Sequence, residues 1–180
     1  MSELVSPTAG LIVASFLYRH DLVELDKLLV KFEKRHRVLC QFKHPHFPMK
    51  DYYSKEMGPS DKLSRLYLLG LELAEREQLI SEKIWADSFE KSSSPGGARA
   101  VNLDIGLLSL ENLVLATGKN YVHRIYLGQG VYGDLTLLAS DPKMVSLPWT
   151  YPDYSHSQVI DFFTWGRKIL QHKLVKNKLV

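Results

Sequence analysis

One cysteine, Cys40, stands in 180 residues. No intramolecular disulfide can form, and no cysteine-based zinc site can be assembled. A small, disulfide-stapled secreted scaffold is therefore excluded. No apolar run approaches the roughly 20 residues needed to span a bilayer. The N-terminal run "GLIVASFLY" has no basic residue ahead of it, as a signal peptide would require, so it is expected to be the first core strand of a cytoplasmic protein. A large excess of one charge is lacking too. Lys and Arg number 23 against 20 Asp and Glu, a formal net charge of +3. That is well short of a dedicated nucleic-acid binder. Arg167, Lys168, Lys173, Lys176 and Lys178 crowd the C-terminus, where they complement the dipole of a final helix. Familiar chemistries are missing as well. There is no G-x-x-x-x-G-K-[ST] loop, no H-E-x-x-H and no G-x-S-x-G.

What is present is an ordinary globular composition, 45% hydrophobic, expected to fold as one domain over residues 1–180. Strands are expected at 10–18, 37–42, 64–73 and from Ala100 to Gly106. Helices are expected after an Asp21 cap, with Leu22, Leu25, Leu28, Leu29 and Phe32 on one face, and at 74–91, with Leu79, Ile80, Ile84 and Phe89. Residues 43–61 hold three prolines and read as a long ordered loop or lid. "SSSPGGA", 92–98, is the clearest breaker. Residues 109–116 fit a helical turn or a strand equally. A last helix spans about 156–173, with Ser155 and Gln158 at capping-box spacing. This order predicts an α+β fold: a ferredoxin-like βαββαβ core extended by a C-terminal β-hairpin and a terminal helix.

The hairpin is "YVHRIYLGQGVYGDLTLL", 121–138. With Gly128-Gln129-Gly130 as its turn, Tyr126 faces Tyr132 and Arg124 faces Asp134. His123, Ile125, Leu127 and Leu135 then share an apolar face expected to pack on the core. Arg124 and Asp134 read first as a cross-strand ion pair; a functional role needs a third partner. His123 reads first as a core histidine. In "VNLDIG", Asn102 and Asp104 share a face beside Gly106, and both are poor strand formers. They read about equally as turn cap and as site. Two loops are rich in aromatics, one with Tyr52, Tyr53 and Glu56, the other with Trp149, Tyr151, Asp153 and Tyr154. Such side chains either anchor a loop or line a pocket. His44 and His46 in "KHPH" are a weak pair of metal ligands.

Taken together, "DYYSKEMG", "VNLDIG", "KNYVHRIYLGQGVYGDLTL" and "LPWTYPDYS" resemble the uncharacterised bacterial proteins grouped as domain of unknown function 4416. Tyr52, Tyr53, Glu56, Met57 and Gly58 match one family motif. Asn102, Leu103, Asp104, Gly106 and Leu108 match a second, with Ile105 and Leu107 in place of the usual Pro and Tyr. His123 and Arg124 match a third, with Asp134 where Glu is commoner; Leu147 to Tyr154 match a fourth without change. The resemblance implies no settled activity. Some members carry a GTP-binding label, which the missing P-loop and N-K-x-D element do not support.

Two functional expectations follow. In the first, a single polar pocket binds a small anionic, phosphate- or nucleotide-like ligand. Arg124 clamps the anion, with Asn102, Tyr132, Asp134 and Asp153 as further contacts. Tyr52, Tyr53, Trp149 and Tyr151 form the walls. Asp104, Glu56 and His123 carry any acid–base step, and Asp104 with Glu56 or Asp134 could hold a divalent metal. In the second, the same residues serve ion pairs and caps, and an exposed aromatic patch binds protein or RNA without catalysis. No motif names a cofactor, and the oligomeric state is left open.

Overall fold

The computed structural model describes residues 3–45, 47–94 and 99–179. His46 and the Pro95–Ala98 part of the breaker lie outside them. In chain order the elements are β1 (Gly10–Arg19), α1 (Leu25–Glu33), β2 (Val38–Lys43), α2 (Lys50–Met57), β3 (Leu63–Ala74), α3 (Gln78–Ser92), β4 (Val101–Leu108), β5 (Asn112–Thr117), β6 (Arg124–Gly128), β7 (Val131–Ser140), β8 (Lys143–Ser146) and α4 (Ser157–Lys176). The fold is α+β. Its antiparallel sheet runs β2-β3-β1-β4-β5-β7-β6, with β8 beside β7.

β1 is apolar at almost every position because both of its faces are covered. Ile12, Ala14, Phe16 and Tyr18 meet α1 and α3 through Leu28, Phe32, Leu79 and Phe89. Leu11 and Val13 meet α4 through Val159, Phe163, Leu170 and Leu174. Each such side chain contributes roughly 1.5–3 kcal/mol by leaving water. Glycine lets β4 and β5 approach closely: a Cβ on Gly106 would lie 2.6 Å from the Val114 carbonyl oxygen.

Several local expectations are corrected. The 43–61 stretch is not one long loop. Its prolines, Pro45, Pro48 and Pro59, flank a proline-free segment that forms α2 and ends at Gly58, with φ of 90°. Residues 109–116 are a turn followed by β5, and the sheet gains β8, so it has eight strands among the described residues. Asp21 does not cap α1, because the Arg19 guanidinium holds its carboxylate at 2.8 and 2.7 Å; the helix starts at Leu25. Ser155 donates to the Pro152 carbonyl instead of capping α4. In α3 the exposed Ile84 gives way to Glu82, which is buried and receives Arg35 at 2.9 Å and His36 at 2.7 Å.

The hairpin register holds at Arg124–Asp134, Ile125–Gly133 and Tyr126–Tyr132. Near the tip, Gly128 rather than Leu127 faces Val131, so the turn is Gln129-Gly130, with φ of 52° and 77°. Two positive φ angles in a two-residue loop match the twist of paired strands. The apolar face is only partly covered, however. Val131 lies in the core, but Ile125 and Leu127 are exposed, and on the other face Asp134 is buried with the Arg124 side chain. β6 is a terminal strand, and among the described residues no strand pairs with its outer edge.

Candidate functional site

β1 pairs with β4 along Val101–Leu108, but β5 pairs with β4 only over Ile105–Leu108. The sheet therefore forks beside Val101–Asp104. The Leu103 amide on that open edge donates to Glu90 of α3 at 2.8 Å. A cleft of about 450 Å³ occupies the fork. Tyr52, Tyr53 and Glu56 reach it from α2, Asn102 and Asp104 from β4, Arg124 and Asp134 from the hairpin, and Tyr151 from the Pro-rich loop. Eight of the expected site residues, drawn from segments far apart in sequence, thus share one cavity.

A chain of polar contacts builds its floor. Arg99 contacts both the Glu56 carboxylate and the side-chain amide oxygen of Asn102. The Asn102 amide donates to Asp104 at 3.1 Å. Asp104 receives Arg65 of β3 at 2.6 Å, and Arg65 also pairs with Asp153 at 3.0 Å. Tyr67 closes the chain by donating to Asp153 at 3.3 Å. The Arg65 guanidinium carbon lies 5.7, 5.7 and 5.6 Å from the ring centres of Phe47, Tyr67 and Tyr154, a cation–π setting for a buried charge. In register between Tyr67 and Asp104 stands the small Ser15, which leaves room for the guanidinium to cross β1. Among the described residues Arg65 Nε and Nη1 find no acceptor, and the buried hydroxyls of Ser15 and Tyr154 are also without hydrogen-bond partners.

Burial pushes the Asp153 carboxyl above the ordinary range, with the Arg65 guanidinium opposing. Burial likewise raises Glu90, against the stabilising amide of Leu103. Desolvation raises the Tyr53 hydroxyl, and the Asp104 charge adds to it.

At the hairpin wall, Arg124 spends three donors on the protein: on Asp134 at 2.8 Å, on the Lys119 carbonyl at 3.0 Å and on the Tyr151 hydroxyl at 3.1 Å. The remaining expected residues stand away from the cleft. His123 is not on an apolar core face. It precedes β6, stacks on Trp149 with ring centres 5.1 Å apart, and points Nε2 at Asp134 from 3.4 Å. Trp149 donates to the Leu135 carbonyl at 2.8 Å, and Thr150 donates to that of Thr136 at 2.6 Å. Together they fill the stretch of the β7 edge that lies between β6 and β8. Tyr132 packs against Tyr126, and Asp153 is buried behind Asp104.

Arg65, Glu90, Arg99 and Lys119 line the cleft but were not read as site residues from sequence. For Arg65 a signal existed: it shares the buried face of β3 with Tyr67 and Leu69, where an unpaired charge is not tolerated. Three of the lining carboxylates are matched to arginines, Glu56 to Arg99, Asp104 to Arg65 and Asp134 to Arg124. Among the described residues no three His, Cys, Asp or Glu side chains gather as metal ligands. Lys83 pairs with Asp87 at 2.6 Å, so among the described residues Lys91 and Lys119 are the lining cations without a carboxylate partner.

No helix among the described residues is long and apolar enough to cross a membrane. No curated protein and no solved structure matches the chain. A family model does match, over residues 8–170, a span that contains all four motifs and every element from β1 into α4. The chain belongs to the family described as a domain of unknown function, DUF4416.

Proposed function

We propose that the cleft binds a small polar ligand carrying an anionic group. The observation that supports this most is convergence: residues of all four motifs either line one cavity or stand directly behind its lining. The guanidinium–carboxylate pairs hold donors and acceptors in fixed directions, as a preformed site requires. With those pairs neutralised, Lys91 and Lys119 stand against one lining carboxylate that has no ion-pair partner among the described residues, Glu90, and leave the lining net positive. The unsatisfied buried donors on Arg65 add a second argument, since such groups are rare and call for an explanation. A metal is not part of the proposal, because each candidate carboxylate is held by an arginine. Nor is His123 assigned a proton-transfer step, since its Nε2 faces Asp134 and the ring does not line the cavity. On the same footing, β1 to β4 with α1 and α3 form a ferredoxin-like unit; its strands run β2-β3-β1-β4 with each neighbour antiparallel.

The test is thermal unfolding against a panel of nucleotides, sugar phosphates and inorganic phosphate. A ligand at a hundred times its Kd stabilises by about 2.7 kcal/mol. The expected result is at least one stabilising compound whose effect disappears in a folded Asp104→Asn variant. A panel with no effect, or an effect that Asp104→Asn leaves intact, would refute the reading.

A further inference from the structure

Glu90 differs from the other carboxylates that line the cleft. Glu56, Asp87, Asp104 and Asp134 each face a cation of the protein, and among the described residues Glu90 faces none. Its one hydrogen-bond donor among those residues is the Leu103 amide, at 2.8 Å on the open edge of β4. That bond occupies one carboxylate oxygen, and a glutamine would serve it without a charge. The side chain is half-buried, and burial disfavours its ionised form. The cations whose fields reach it, Lys83 and Arg99, are committed to Asp87 and Glu56. Three tyrosines, Tyr52, Tyr53 and Tyr151, line the same cavity. A carboxylate among tyrosines suits an ammonium group, which gains from the ion pair and from the rings.

We propose that the ligand of the cleft carries an amino group as well as its anionic group, and that Glu90 receives the ammonium. The inference rests on the anion-binding reading of the cleft and supplies the other half of the ligand. Lys91 and Lys119 meet the anion, and Glu90 meets the cation. The chemical class is a small zwitterion, an amino-bearing phosphate ester. A ligand with the anion alone would leave the Glu90 charge uncompensated and close to its own. A divalent metal is a poorer occupant, because among the described residues no further Asp, Glu, His or Cys joins Glu90 to complete its ligand set.

Calorimetric titration with matched compounds tests this: glucosamine 6-phosphate against glucose 6-phosphate, and phosphoethanolamine against ethyl phosphate. Within each pair the amino group is the only difference. In wild type the amino member of at least one pair is expected to bind about tenfold more tightly or better, the strength of a charge-assisted hydrogen bond. It should also shift the amide resonance of Leu103, the donor to Glu90, which its amino-free partner leaves in place. In Glu90→Gln the two members should bind alike. Glutamine still accepts the Leu103 amide, so the variant is expected to fold, and circular dichroism checks this. Equal affinities within both pairs in wild type, or a preference that survives Glu90→Gln, would overturn the inference and leave the anion-binding reading standing. No binding by any of the four compounds would overturn both. The wild-type comparison decides by itself if Glu90→Gln does not fold.

Discussion

Replacing Arg65 with Met is expected to cost the fold about 3–5 kcal/mol, the penalty for stranding buried charges. The Arg65 side chain is 1% exposed and pairs with both Asp104 and Asp153. Met preserves most of the volume and packs on Phe47, Tyr67 and Tyr154, so the loss is chiefly electrostatic. The pH dependence separates this from a packing defect. Burial already raises the Asp153 carboxyl, and Arg65 opposes the rise. For an acid whose folded pKa is raised, the favourable contribution is full below its ordinary pKa and is lost as pH rises through the folded one. Removing Arg65 raises Asp153 further, so the variant's deficit should be largest near pH 7 and shrink toward about pH 5. Urea midpoints at both pH values check this. A loss under about 1 kcal/mol, or a deficit independent of pH, would show that Arg65 does not hold the two carboxylates.

The second large effect is expected at the hairpin. Asp134→Asn removes the charge that holds the Arg124 side chain and that His123 approaches at 3.4 Å. The loss should be about 2–3 kcal/mol, the range for a hydrogen bond to a charged group left without its counter-ion. Arg124 keeps the Tyr151 hydroxyl and the Lys119 carbonyl, so the hairpin stays folded. In a double-mutant cycle, Arg124→Met combined with Asp134→Asn should cost less than the two single losses added together, by about 1 kcal/mol. Additive losses would mean that the two residues stand side by side without coupling.

These two arginines mark where sequence reasoning reached and where it stopped. The strands β1 to β4 were legible because each is a long apolar run bounded by turns. The hairpin register was legible because only one alignment keeps like residues opposite each other. β5 was not, since "SLENLVLA" has an apolar pattern compatible with either state and only pairing decides it. α2 was hidden by prolines that flank the helix without entering it. The apolar face of the hairpin packs on the core only in part, because periodicity reports that two faces differ, not how far the rest of the chain will cover each. Val131 is buried, Ile125 and Leu127 stay in water, and the Arg124–Asp134 pair is buried on the other face. In the site, Asn102 and Asp104 stood out as misfits in a strand. Arg65 was an equal misfit in its own strand, but its partners lie 39 and 88 residues away in sequence, and no local pattern links them. The Trp149 loop was readable as stiff and aromatic. That it fills the β7 edge follows only from where β6 and β8 stop.

The central claim is that the cleft in the forked sheet is a ligand site. An amide chemical-shift titration of isotope-labelled protein with inorganic phosphate, nucleotides and sugar phosphates tests it most directly. The account predicts saturable shifts at Asn102, Asp104, Gly118, Lys119 and Arg124, around the cavity. Shifts confined to another surface, such as the groove lined by Lys31, Arg35 and Trp85, or no saturable shift with any of these compounds, would contradict it.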